Sequence, residues 1–517
     1  MCQHDQHDGI RPHCCPTVRA VGGSLAGVTR RAFLGGTALG AAALSGLSWS
    51  ALAATGPDIA PAPPRRPLVV KPVFLYHIYQ RRPQTSWRSW GGIHSQQDAD
   101  QEVARIQGEL EKLQKMADFP LQFQPVTATS KAADLAAMDD VKSADALLVY
   151  ACDGDLNQIA ALGKDTIFFL RHQSGPLYLY YEIISPRFLR QHGDALAVKG
   201  IDDQDVVVDS LDEVLWRLRS LCGLRNTMGT KILAVGGPGA WAHPAEPTAK
   251  LVSEKFKFDI QTVTYDELGK LIQAARQDQA AVALAKKRAA DYLQMPETKL
   301  ETEGQFVENC MLLDQVFRKL MQEAGCRALT INACMGTIMP IAETTACLTL
   351  STLNDDGYFA FCESDFIVIP AGVLMGNISG QPTFLNDPTY PHDGVITLAH
   401  CTAPRRMDGK NLEPVRLVTH FESDYGAAPK VEMHTGQKVT NIAPDFAFER
   451  WLGLSGEIVA HPFLPICRSQ IDIRFTAPSL TVAEKMPGFH WMTIYGDYLR
   501  EAGYALKRIP IQWECLG

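Results

Sequence analysis

The chain predicts an α/β protein, with two Rossmann-like, doubly wound domains followed by a β-rich C-terminal domain. Short apolar runs such as Ala146–Ala151 and Lys231–Val235 recur between longer stretches of helical period. Strands buried on both faces of a parallel sheet read this way. Beyond about residue 346 the runs shorten and turn residues crowd in: Asn354-Asp355-Asp356-Gly357, Asn386-Asp387-Pro388, His392-Asp393-Gly394 and Asp408-Gly409-Lys410. Apolar residues make up 46% of the 517, enough to fill such cores.

Residues 1–53 read as a processing segment. Thr29-Arg30-Arg31-Ala32-Phe33-Leu34 carries the paired arginines of a twin-arginine export signal. A mildly apolar stretch follows, from Gly35 to Leu47, and Ala51-Leu52-Ala53 offers the small residues a signal peptidase cuts after. The apolar run is too short to span a bilayer. The expected partner is the twin-arginine export machinery, and the expected location is the periplasm or elsewhere outside the cytoplasm. Residues 54–67, with Pro57, Pro61, Pro63 and Pro64, form an extended linker.

A first α/β domain spans 68–228, with strands at 73–76, 146–151 and 166–170 and helices at 98–116 and 211–222. A second spans 229–345, with strands at 231–235, 258–263 and 328–331 and helices at 265–275, 277–293 and 307–324. Residues 346–517 form the β-rich domain, with antiparallel strands at 395–399, 415–421 and 470–475.

The chain carries 49 basic and 57 acidic residues, net −8. Without residues 1–53 the balance is 45 against 55, net −10. That acidity argues against nucleic acid and anionic membranes as partners. Ten of the 13 cysteines lie beyond the signal, with no CxxC pair, and read mostly as small buried residues; some disulfide pairing in the periplasm stays open.

Gly236-Gly237-Pro238-Gly239 follows a strand but lacks the GxGxxG spacing of a dinucleotide loop. It reads as a tight turn at the switch point of an α/β sheet. Trp87-Arg88-Ser89-Trp90 either offers aromatic faces and a guanidinium to a sugar or covers a domain interface. The chemistry concentrates further on. Glu343 stands alone in a mostly apolar stretch, where a charge is costly unless paired or metal-bound. Cys362-Glu363-Ser364-Asp365 places two acids on one side if it is a strand. His400 ends a buried strand, and His490 precedes Trp491 near the C-terminus. Acidic oxygens with an imidazole suit Mn²⁺ or Mg²⁺.

The order of these elements resembles the L-fucose isomerase and L-arabinose isomerase superfamily, in its fucose isomerase-related branch. Asn354-Asp355-Asp356-Gly357 with Cys362-Glu363-Ser364-Asp365, Glu343 before it, and His490-Trp491 with Tyr495-Gly496-Asp497 carry the resemblance. Leu398-Ala399-His400-Cys401 is a weaker match. The resemblance implies aldose–ketose isomerisation through a metal-stabilised enediol. It also implies Glu343, Asp365 and His490 as Mn²⁺ or Mg²⁺ ligands, with Glu343 and Asp365 moving protons. His400, Glu363, Trp87, Arg88 and Trp90 are then expected around the substrate, a small sugar. Family members form trimers or hexamers, which implies a homo-oligomer. The export signal departs from the cytoplasmic habit of such isomerases. Two alternatives stay open: an epimerase or lyase using the same metal, and a periplasmic solute-binding protein. Replacing Arg30 and Arg31 with Lys is expected to hold the precursor in the cytoplasm; fractionation showing unchanged periplasmic protein would refute the export reading.

Overall fold

The computed structural model describes residue 49 and residues 62–89, 91–153, 155–179 and 200–516. The expected signal, Trp49 excepted, the linker up to residue 61, and Trp90 lie outside the described residues. Trp49, which the sequence reading puts within the signal, is buried here. Its indole donates to Asp278 Oδ2 at 2.9 Å, and Lys319 Nζ lies 4.0 Å from its ring centroid.

The described chain is mixed α/β, with two parallel sheets and an antiparallel barrel. In the first sheet Leu121–Phe123, Leu68–Leu75, Ala146–Ala151, Asp165–Leu170 and Val206–Val208 lie side by side, all parallel. Successive residues feed opposite faces. Val70, Phe74, Leu148 and Tyr150 pack against the helices Gln96–Met116 and Leu211–Thr227. Val73, Leu75, Leu147 and Val149 meet Leu135, Val141 and Ile159 on the other side. Lys71, like Arg171 and Glu102, is a buried charge in this domain; its ammonium pairs with Asp140 and donates to the Pro125 carbonyl at 2.7 Å.

The second sheet runs Phe359–Phe361, Ala328–Ile331, Lys231–Val235, Asp259–Val263, again parallel. It therefore takes a strand from beyond the boundary expected at 345. Three residues, Phe-Ala-Phe, are too few to show a period. Nor is the chain after 346 β-rich at first. Cys347–Asp355 and Ile369–Ser379 are helices. Nearly every residue of both is buried, so neither shows the apolar stripe by which a surface helix is recognised.

Ile369–Ser379 ties the three layers together. A Cβ at Gly223, on the first domain's last helix, would stand 2.3 Å from Ile378 Cγ1. A Cβ at Gly372 would meet Phe361 at 2.7 Å and the barrel's Met492 at 2.8 Å. Glycine at both points allows close approach from either side.

Six antiparallel strands close the barrel: Lys438–Pro444, Trp491–Tyr495, Phe384–Pro388, Val395–His400, Ser469–Arg474 and Arg450–Ala460, which pairs back with the first. Closure leaves no open edge between these six. Gln512–Leu516 adds a parallel strand to Arg450–Ala460. A small side sheet joins Thr298–Leu300, Val415–Val418 and Ala428–Val431.

Within that side sheet Lys430 is 1% exposed, and its Nζ donates to the His461 carbonyl at 3.2 Å. Burial pushes its pKa down to about 8. The folded chain therefore holds that proton less tightly than the unfolded one. The neutral lysine's full contribution to stability is present above pH 10.5 and is lost as pH falls through 8. Lys430→Met is expected to raise Tm by roughly 2–4 °C at pH 7, with the gain shrinking toward zero near pH 10; paired thermal melts at the two pH values check it.

Candidate metal centre

Two kinds of sheet end meet at one point. The strands Lys231–Val235, Ala328–Ile331 and Phe359–Phe361 all point their carboxyl ends there, where parallel α/β sheets bind ligands. The barrel contributes its rim. Leu385 pairs with Met492 and Asn386 with Trp491, so Asp387 comes next to His490, one step beyond. Asp387 also pairs with Ala399, the neighbour of His400. Register alone thus gathers Asp387, His400 and His490 from three strands.

The acids at the end of Phe359–Phe361 do not continue a strand. Glu363 and Ser364 take left-handed backbone, φ 65° and 46°, rare for residues with a Cβ and rarer in succession. Strain of this kind persists only where surroundings hold it. The glycine-rich loop supplies the hold. Gly239 N–H donates to the Ser364 carbonyl at 3.0 Å, and Phe366 N–H returns a bond to the Gly239 carbonyl at 3.1 Å. A Cβ at Gly239 would lie 3.1 Å from the Ser364 oxygen. Gly239 serves this close approach.

His490 is 2% exposed and sits among three carboxylates. Its Nδ1 lies 2.7 Å from Asp365 Oδ2. On the ring's other side, Nε2 is 3.1 Å from Asp387 Oδ1 and 3.3 Å from Glu363 Oε2. His400, also buried, bonds Thr402 Oγ1 through Nδ1 at 3.1 Å and brings Nε2 to 3.5 Å from Glu363 Oε1. One atom each of Asp387, His400 and His490 lies within 4.8 Å of the other two, and the same holds for Cys362, Glu363 and His400. Asp387 Oδ1, His400 Nε2 and His490 Nε2 are buried without a hydrogen-bond partner. They approach one another yet are not aligned on one another, as atoms facing a common point would be.

Burial alone would raise the Glu363 carboxyl; His490 and His400 instead hold it down to about 2. Burial likewise works against charge on His490, but Glu363, Asp365 and Asp387 push its pKa well above the usual imidazole range. His400 is raised against burial by Glu363 and Asp387.

Four residues singled out in the sequence, Glu363, Asp365, His400 and His490, come together here. Glu343 does not join them. It caps the helix Cys334–Ala342 with its side chain 60% exposed, and its Oε1 accepts from Arg276 at 2.7 Å. An arginine across the surface answers the charge that seemed in want of a metal. Asp365 also departs from expectation, since it holds His490 Nδ1, behind the ring, and accepts from Ile367 N–H at 3.0 Å. Arg88 and Arg81 stack on Trp87, 4.8 and 5.2 Å from its ring centroid. Neither Trp87 nor Arg88 lines the hollows beside Glu363. Asp387 was hidden in what reads as an Asn-Asp-Pro turn; its one signal is a strand-like run directly before it.

Glu363 separates two hollows. One is an open pocket of about 540 Å³ lined by Gly239, Trp241, His243 and Asn332. There Trp241 stacks on Phe489, with centroids 4.0 Å apart. The other is a small inner cavity of about 20 Å³, rich in sulfur. No protein-family model and no curated protein matches the chain.

Proposed function

We propose that this chain is an exported, metal-dependent sugar isomerase interconverting aldose and ketose, with Mn²⁺ or Mg²⁺ held by Asp387, His400 and His490 beside Glu363. The carrying observation is that one atom each of Asp387, His400 and His490 lies within 4.8 Å of the other two, with Asp387 Oδ1, His400 Nε2 and His490 Nε2 buried without a hydrogen-bond partner. One carboxylate with two imidazoles fits a divalent ion and leaves positions open for substrate oxygens. This reading keeps His490 from the set expected in the sequence and replaces Glu343 and Asp365 with Asp387 and His400. The two parallel sheets with helices on their faces suit Rossmann-like domains of the fucose and arabinose isomerase kind. The acidic residues and buried imidazoles gathered at one point favour an enzyme over a solute-binding protein, which needs no such group.

When bound, the ion supplies charge opposite the sugar's carbonyl and neighbouring hydroxyl oxygens. The chain's own groups do the rest. Asp365 accepts the Nδ1 proton of His490 and so turns the Nε2 lone pair toward Asp387 and Glu363. Glu363 borders the open pocket beside the ion site, so it is the group to take a proton from one sugar carbon and return it to the next. Trp241 offers a flat apolar face to the sugar, and Asn332 and His243 offer hydrogen bonds.

Asp387→Asn and His490→Gln are each expected to weaken Mn²⁺ binding at least tenfold and to abolish ketose formation from a panel of aldoses, while Glu343→Gln keeps both. Metal analysis and product assay decide. Full occupancy in Asp387→Asn and His490→Gln, or loss in Glu343→Gln, overturns the assignment. The raised pKa of His490 adds a pH expectation. Its imidazole is protonated without the ion and must lose a proton to ligate one, so Mn²⁺ affinity should rise with pH, with about one proton released per ion at pH 7. Calorimetry in buffers of different ionisation enthalpy reads that proton directly.

A further inference from the structure

Cys334 opens the helix that follows Ala328–Ile331, and Cys362 directly follows Phe359–Phe361. Those two strands are hydrogen-bonded neighbours, with Thr330 opposite Phe361, so the two cysteines emerge side by side. Their sulfurs stand 3.5 Å apart. Each cysteine also adjoins a wall of the open pocket. Ala333, just before Cys334, and Glu363, just after Cys362, both line it. Both walls are strained at that point. Ala333 takes left-handed backbone at φ 50°, as Glu363 and Ser364 do at 65° and 46°. On the Glu363 side, Gly239 N–H holds the Ser364 carbonyl. On the Ala333 side, Asn332 N–H donates to the Val235 carbonyl at 2.8 Å, and the Tyr265 hydroxyl donates to the Asn332 carbonyl.

We propose that Cys334 and Cys362 are a redox pair, and that their disulfide clamps the two walls of the open pocket together. Distance, access and placement support it. A disulfide brings sulfurs to about 2.05 Å, so the 3.5 Å gap closes with small movements of two side chains. Cys334 is half-buried and Cys362 is 5% exposed, so exchange with an external disulfide starts at Cys334. The Cys334 thiolate attacks that disulfide, forms a mixed disulfide and releases one thiolate. The Cys362 thiolate then attacks the Cys334 sulfur and releases the second. Two electrons pass to the external disulfide, and the two protons of the protein thiols end on the two thiols released. An oxidising compartment supplies such disulfides, and the expected export leads to one. The bond then lies one residue from Ala333 and one from Glu363, where left-handed backbone persists only if its surroundings hold it. Cys347, Cys401 and Cys467 gather separately, around Ala428, with Cys347 and Cys401 buried.

Oxidation of the reduced full chain by glutathione disulfide tests this. Trypsin leaves both cysteines in one peptide, because no Lys or Arg separates them. Glu-C with Asp-N, cutting after Glu343 and before Asp355, puts Cys334, Cys347 and Cys362 on three peptides that mass spectrometry tells apart. The wild type is expected to yield the Cys334 and Cys362 peptides linked, to gain about 5 °C in Tm, and to exchange the amides of Ala333 and Glu363 more slowly. Reduction reverses all three. Cys334→Ser and Cys362→Ser should each lose the link and the gain in Tm. Cys362→Ser should stop with glutathione held on Cys334, and Cys334→Ser should hold none on Cys362. None of these readouts involves a metal ion or a sugar, so their failure and that of the isomerase reading are distinguishable. A wild type that stays reduced, or that links either cysteine to Cys347 or Cys401, overturns the pair. A gain in Tm that survives both serine variants arises elsewhere and also overturns it. A link that leaves amide exchange at Ala333 and Glu363 unchanged overturns the clamp.

Discussion

The His490 ring sets the terms for everything around it. An imidazole with one nitrogen fixed by Asp365 has its other nitrogen aimed, and that aim runs between Glu363 and Asp387. Three carboxylates in so small a buried volume repel one another. They are tolerable only if something positive stands among them, whether a proton on the ring or a cation beside it. In the ion-free protein the ring carries that charge, and its pKa rises accordingly. The cluster thus balances its carboxylates with a charge on the ring, and the fold has to hold the four side chains rigidly for that balance to persist.

Rigidity comes from joining two architectures. Glu363 hangs from a parallel sheet and is braced by Gly239, while Asp387, His400 and His490 ride on three antiparallel barrel strands whose register is fixed by closure. Neither part alone contains the site. The buried helix Ile369–Ser379 packs against the first domain's last helix, Phe361 and Met492, coupling the two frames where a small shift would pull Glu363 away from His400 and His490.

Much of the frame was legible in the chain. The strands at 146–151, 231–235 and 328–331 stood out because full burial leaves an unbroken apolar run. His400 and His490 were legible as polar residues set against apolar strands. Glu363 and Asp365 were found but misplaced, because a period-two rule assumes a strand, and only the Gly239 contact makes two successive left-handed residues affordable. Glu343 misled for the opposite reason. It sits in apolar sequence but at a helix end, with Arg276, 67 positions earlier, supplying the counter-charge. Asp387 was missed because its meaning is a matter of register, which no local pattern contains.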